Sequence, residues 1–287
     1  MNSTTTPPPL LERLGSGRLP VLPSNTPMLL RALSNDQLDF NEVAEVIEQF
    51  PTVAGRLIAL ANSAWSSPVE TILSVDQACA RLGLSVVRST SLALAVAAAF
   101  DPSRCPEFDA ERYWTDALFC AEASARLCAT GSLSQSLEPA AARAGGLLHS
   151  LGVLWIADRL PKEFGRAVQL RQSDEDGMRL HEALHRVLGF DQGDAGGLLA
   201  LKWQLPEELE LAMAMAGDYR PEQRRPMEWV VGYAMRLAQA LYRQADCPTD
   251  DPRVALIGLR PDACADLQRQ LETQYRHLRE LARTLFV

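Results

Sequence analysis

The sequence predicts an all-α fold. Three observations carry the prediction. Apolar residues recur at helical spacing, as in Val43, Val46, Ile47 and Phe50. Helix-opening and helix-closing residues punctuate the chain regularly. No stretch alternates polar and apolar residues as a half-buried strand requires. Roughly a dozen helices of the usual ~11-residue length are expected, with no fixed-period repeat.

The elements follow in order. Asn25 or Thr26 before Pro27 opens the first helix, because proline fits the first turn. Asp39 with Glu42 three residues on reads as a capping box for the next. Phe50-Pro51 starts a helix expected to reach about Trp65 and to stop before Pro68. Ser74 with Gln77 is a second capping box, closed by Gly83 as a C′ residue. Ser85 caps a Ser-, Leu- and Ala-rich segment that ends at Asp101-Pro102. Asp109 opens a helix to Gly131, and Pro139 a long one to about Asp158. Pro161, then Met178 to Leu188, Gln192 to Trp203 and Pro206 to Ala216 complete the middle, and two helices follow near 227–245 and 261–286. Residues 1–18, with Thr4-Thr5-Thr6 and Pro7-Pro8-Pro9, read as a flexible or polyproline-like tail.

Composition narrows the functions. The chain has 287 residues, 47% hydrophobic and 22% charged, which allows a sizeable core and excludes wholesale disorder. A net charge of -8 argues against a dominant nucleic-acid or anionic-membrane surface, so neither nucleic acid nor membrane is an expected partner. No apolar run reaches the ~18–20 residues needed to cross a bilayer; the strongest, Ser91 to Phe100, reads as a buried helix. The N-terminus lacks the basic and apolar regions of a secretory signal. Six cysteines, at 79, 105, 120, 128, 247 and 264, form no C-x-x-C pair. They read as reduced, mostly buried thiols of a cytoplasmic protein.

More specific signals lie in a series of segments. Leu19-Pro20-Val21-Leu22-Pro23 precedes a helix and then the run Phe50 to Ala64, which contains Leu60-Ala61-Asn62-Ser63-Ala64. Ile72-Leu73-Ser74-Val75-Asp76-Gln77-Ala78 and Leu82-Gly83 come next. Gly146-Leu147-Leu148-His149-Ser150-Leu151-Gly152, Leu188-Gly189-Phe190-Asp191 and Trp203-Gln204-Leu205-Pro206 follow. In order and spacing this series resembles the HDOD family, a bacterial group related to the HD-type metal phosphohydrolases. The resemblance covers roughly residues 15–220. It implies a helical bundle in two lobes, a family-specific one at 19–105 and an HD-like one at 106–220, with a helical extension at 221–287. It also implies a signalling or regulatory role; some members carry receiver or cyclic-dinucleotide domains, which this sequence lacks.

HD enzymes hold one or two divalent cations that polarise phosphate and activate water. Carried over residue by residue, the His-Asp pair reads His149-Ser150 here. The upstream His, after Tyr113-Trp114-Thr115, reads Asp116. The His after Phe-Asp reads Gln192, and the pair after the Trp-x-Leu-Pro helix reads Gly217-Asp218. The resemblance thus implies a degraded phosphohydrolase site, with no metal, cofactor or catalytic residue expected at Asp116, His149, Ser150, Gln192 and Asp218. An alternative keeps a metal-dependent phosphohydrolase on the one imidazole and two carboxylates of His149, Asp116 and Asp218.

A second pattern competes. His181-Glu182-Ala183-Leu184-His185 matches H-E-x-x-H, in which histidines at i and i+4 share a helix face and the glutamate activates zinc-bound water. Leu188 and Asp191 stand where the metzincin continuation needs Gly and His, and Glu207, Glu208 and Glu210 are the glutamates a gluzincin-type ligand would draw on. A zinc peptidase is therefore the second alternative, weighed against a plain solvent-facing amphipathic helix. Gly145-Gly146 and Gly196-Gly197 read as sites of close helix approach, since glycine there otherwise costs about 1 kcal/mol against alanine. The arginines at 220, 224 and 225 read as a solvated turn, and the mixed charge of the last helix as a solvent face or partner surface.

The leading expectation is a non-catalytic, cytoplasmic HDOD regulatory protein that binds other signalling proteins or a small ligand. It would serve as an output component of a two-component system or in cyclic-di-GMP signalling, with direct binding of a nucleotide second messenger left open.

Overall fold

A computed structural model describes residues 14, 20, 26–33, 37–63, 66, 68, 70–130, 132–133, 136–174, 177–215 and 225–287. These residues are helical with no strand among them. In chain order the helices are α1 (Thr26–Leu33), α2 (Phe40–Glu48), α3 (Pro51–Ala61), α4 (Val75–Leu82) and α5 (Leu84–Ala97). A 3-10 turn at Pro102–Arg104 precedes α6 (Ala110–Thr130), α7 (Pro139–Leu148), α8 (Leu151–Arg159), α9 (Pro161–Gln172) and α10 (Leu180–Leu188). Then come α11 (Gln192–Lys202), α12 (Glu207–Met213), α13 (Pro226–Arg243), α14 (Arg253–Ile257) and α15 (Pro261–Phe286).

The chain forms two compact units that interleave along the sequence. One comprises Met1–Val21, Ala99–Asp109 and His149–Tyr219; the other comprises Leu22–Ala98, Ala110–Leu148 and Arg220–Val287. The smaller unit therefore holds α8 to α12, and the larger holds α1 to α7 with α13 to α15. The expected tail at 1–18 falls outside the described residues except for Leu14, which is buried.

In the larger unit, α6 is the central helix. α7, α13 and α15 all pack on it. Most of its side chains are buried, Trp114, Leu118, Phe119 and Leu127 among them. A helix buried on several faces needs several neighbours, and α6 has them. Gly146 on α7 lets the two backbones touch: a Cβ there would stand 2.3 Å from the Cys120 carbonyl oxygen. In the smaller unit Gly196 does the same for α11 against α12, where a Cβ would meet the Met213 carbonyl at 2.1 Å. Gly146 and Gly196, one from each pair, thus have the close-approach role expected of the pairs.

Several boundaries differ from expectation, each for a local reason. The Asp39 capping box forms in full: Asn41 and Glu42 N–H groups donate to Asp39 Oδ1 at 2.9 and 3.0 Å, and Asp39 N–H donates to Glu42 Oε2 at 2.9 Å. The Ser74 box does not. Ser74 gives its helix no side-chain cap, and Gln77 Oε1 accepts from Leu73 N–H at 2.9 Å, one residue earlier than a box requires. The Ser74 hydroxyl instead holds the Asp76 carboxyl below its usual range. α3 stops at Ala61 rather than near Trp65, which lies outside the described residues. Asn62 ends it. Its amide donates to the Ile58 and Ile72 carbonyls at 2.9 and 2.7 Å and accepts from the Ile72 N–H at 2.8 Å. The expected single helix from Pro139 to Asp158 is two, broken at His149-Ser150. Helical periodicity runs through that break, so hydropathy alone did not reveal it.

By length and composition the stretch Pro139–Arg159 is apolar enough to cross a membrane, contrary to the expected absence of such a run. In the fold, 78% of its most apolar window is buried inside protein. α4 and α5 together also pass, but they bend by 119°.

Candidate functional site

The positions singled out by sequence fall in both units, and each unit stands on its own chemistry. Asp116 lies on α6 of the larger unit, half exposed. Tyr275 on α15 donates its hydroxyl to Asp116 Oδ1 at 3.2 Å, and Arg112 Nε lies 3.6 Å from Oδ2. Burial, and then the Asp116 charge, push the Tyr275 phenol well above its usual pKa, so it remains a donor. Arg112 also covers the face of Tyr242, with its guanidinium carbon 3.8 Å from the ring centre.

The same pairing of helices continues on either side of Asp116. Glu111 accepts from Arg279 Nε at 2.6 Å and from Arg283 Nε and Nη2 at 2.9 and 3.0 Å. Hydrogen bonds from Arg283, then Arg279, hold the Glu111 carboxyl down at about 2. Trp114 stacks on Phe286 with ring centres 4.1 Å apart, and Phe119 meets Tyr275 edge-on at 5.4 Å. The charged face of the last helix, read from sequence as open or partner-bound, is thus turned in part onto α6 of its own chain. None of these α15 partners was identified from the sequence. The arginines at 279 and 283, one turn apart, carried the signal; the acidic residue they meet lies too far away in sequence to be assigned.

Further along α6, Glu122 makes a polar node in the core. Ser85 and Ser89 on α5 donate to it at 2.5 and 2.9 Å, and Arg143 Nε on α7 lies 3.5 Å away. A buried carboxylate needs such partners, and three helices are fixed together by supplying them.

His149, Ser150 and Gln192 belong to the smaller unit. His149 is buried at the turn before α8. Ser150 occupies the N-cap of α8 but makes no side-chain cap bond. Gln192 is the first residue of α11. α8 and α11 pack closely because Gly152 has no side chain; a Cβ there would stand 1.9 Å from the Gln192 carbonyl oxygen. The N-terminal ends of the two helices therefore meet. Ser150 Oγ and Gln192 Oε1 are both buried and have no hydrogen-bond partner among the described residues. Asp218 and Gly217 lie outside the described residues.

Ser150 and Gln192 are neutral side chains at the positions where the family resemblance implies a carboxylate and an imidazole. Asp116 is already committed to Arg112 and Tyr275.

The H-E-x-x-H residues lie on α10. Glu182 accepts from the Arg179 N–H at 2.7 Å and closes the N-terminus of the helix, with Arg179 Nη2 at 3.4 Å. That backbone bond lowers the Glu182 pKa. His181 is largely buried, with Nε2 4.0 Å from Glu182. His185 points to the next helix, where its ligand nitrogen and carboxylate oxygens of Asp191 and Asp194 lie within 4.8 Å of one another. None of the six cysteines is in a disulfide, and all but Cys247 are buried. Burial pushes the Cys79 thiol up to about 11 and Cys120 well above its usual range.

This fold and these segments match one family. The HDOD domain model matches residues 19–219, and the chain belongs to the HDOD domain family. No curated protein matches the chain in sequence. Among solved structures, it resembles a candidate signal transduction protein from Marinobacter aquaeolei VT8, with a TM-score of 0.75 and 21% identity over 93% of this chain. The chain spans 60% of the length of that protein. An HDOD domain protein of unknown function from Geobacter sulfurreducens gives a TM-score of 0.72 at 20% identity, covering 96% of this chain and 99% of that one. A candidate phosphohydrolase from Shewanella amazonensis SB2B gives 0.67 at 24% identity, covering 96% and 97%. At these identities the likenesses concern the fold.

Proposed function

We propose that this chain is a non-catalytic regulatory protein of the HDOD family. It acts in the bacterial cytosol by binding other signalling proteins. Its place in a two-component or cyclic-di-GMP pathway is part of the same proposal and rests on the family. The observation that carries the reading is the engagement of Asp116. The carboxylate that would serve a cation is neutralised by Arg112 and hydrogen-bonded by Tyr275, a residue from outside the family's own span. The neutral Ser150 and Gln192 support it, because neither hydroxyl nor amide is a strong ligand for a catalytic divalent ion. The signal-transduction description of the Marinobacter protein agrees with it.

The test is hydrolysis. The full-length protein is assayed on bis(p-nitrophenyl) phosphate with Mn2+, Fe2+ or Zn2+, beside His149→Ala. The proposal expects the buffer rate in both, and it expects His149→Ala to restore signalling in cells deleted for the gene. A Mn2+- or Fe2+-dependent rate that disappears in His149→Ala would instead establish the metal-dependent phosphohydrolase.

A further inference from the structure

The H-E-x-x-H helix carries chemistry that the regulatory reading leaves unused. We infer that His185, Asp191 and Asp194 form a binding site for a divalent transition-metal ion, of which zinc is the best match.

The fold brings these residues together locally. α10 ends at Leu188, Gly189 turns the chain in the left-handed region at φ 81°, and α11 starts at Gln192. His185 stands in the last turn of α10, and Asp191 and Asp194 in the N-cap and first turn of α11. One ligand atom from each lies within 4.8 Å of the others. Around a tetrahedral zinc, adjacent ligand atoms stand about 3.3 Å apart, given metal–ligand distances of ~2.0–2.2 Å. Turning the exposed His185 ring towards the two carboxylates would close the difference.

Helix capping does not exhaust the carboxylates. Asp191 Oδ1 accepts from Gly193 and Asp194 N–H at 2.7 and 3.2 Å, and Asp194 Oδ2 accepts from Asp191 N–H at 3.0 Å. Each cap fixes its side chain through one oxygen and leaves the other for a ligand. The His185 imidazole has no hydrogen bond or ion pair among the described residues, so its ring nitrogens remain available.

The electrostatics favour a cation. Two carboxylates outweigh the roughly half unit of positive charge at a helix N-terminus. The carboxylates of Asp191 and Asp194 lie close together at this helix end, and bound positive charge would relieve their repulsion. One imidazole with two carboxylates selects zinc or a similar ion over Mg2+ and Ca2+, which take oxygen ligands only. Positions left over on the metal would hold water or a partner's side chain. The site shares the His185 position with the zinc-peptidase pattern but not its logic. Glu182 serves the cap of its own helix, and the carboxylate ligands come from the next one.

The site uses none of the HD-type positions, so it stands or falls apart from the regulatory proposal. The test uses the full-length, metal-stripped protein titrated with zinc sulfate by calorimetry, with Co2+ uptake followed by visible absorption. Wild type is expected to take up one equivalent. His185→Ala, a change at an exposed position, is expected to weaken uptake by at least about tenfold. Asp194→Asn is expected to do the same while its amide oxygen still caps the helix, so circular dichroism remains unchanged. His149→Ala is expected to bind as wild type. No uptake by wild type, uptake indifferent to His185→Ala, or uptake lost in His149→Ala would each overturn the inference.

Discussion

The α6–α15 pairing in the larger unit and the α8–α11 pairing in the smaller one solve the same packing problem in opposite ways. The first is built from large and charged side chains: Trp114 on Phe286, Phe119 on Tyr275, Glu111 between two arginines, Asp116 under a tyrosine. The second is built by deletion. Gly152 removes a side chain so that α8 can rest on the Gln192 carbonyl, and beside it Ser150 Oγ and Gln192 Oε1 are buried with no hydrogen-bond partner among the described residues. A pairing made of side chains spreads its stability over many separable contacts. A pairing made of absent side chains concentrates it at one backbone contact, where no substitution is small.

Three measurements sharpen that contrast. The largest effect is expected from Phe119→Ala, which empties a fully buried site facing Tyr275. A loss of about 3–5 kcal/mol in chemical denaturation is expected; a loss below 1 kcal/mol would mean that α15 contributes little to holding α6. Gly152→Ala comes next. Its methyl group would stand 1.9 Å from a carbonyl oxygen that cannot rotate away, and overpacking costs about 1–3 kcal/mol. If Gly152→Ala is neutral, α8 and α11 are not in contact as described. The smallest effect lies in the pH dependence of Glu111→Gln. Because the Glu111 carboxyl is held at about 2 in the folded protein, its ion pairs contribute fully above the ordinary glutamate pKa near 4.5. Their contribution is lost as pH falls from there towards 2. Wild type should lose thermal stability more steeply than Glu111→Gln across that window, and equal slopes would show that the arginines on α15 do not grip Glu111 in solution.

The fold was legible where a helix announces itself through its own first turn. Asp39 and Glu42 lie three residues apart, and their reciprocal bonds are local. It was less legible where a neighbour decides. Ser74 and Gln77 have the spacing of a box, yet the Ser74 hydroxyl goes to Asp76 and the Gln77 carbonyl to Leu73 N–H. The break at His149-Ser150 is invisible to periodicity, because buried apolar residues continue through both halves. The candidate positions were legible only through the family pattern. That pattern names Asp116 but not Tyr275, which lies 159 residues later and beyond the matched span. The His185 cluster was half legible: the helix pattern marks the imidazole, while Asp191 stands out only as part of the Leu188-Gly189-Phe190-Asp191 segment and as a departure from the metzincin continuation, and Asp194 carries no signal.

Asn62 has a consequence for how the chain tolerates change. Its amide donates to one peptide carbonyl of Ile72 and accepts from the N–H of the same residue, taking the place of a strand partner. One side chain thereby fastens the exit of α3 to the approach of α4. Asn62 and Ile72 are thus tied to each other directly. Lengthening the chain between two tied residues costs little; each doubling adds about 0.6 kcal/mol of closure entropy. The junction is therefore a natural port for inserting a reporter peptide, provided that Asn62 is kept.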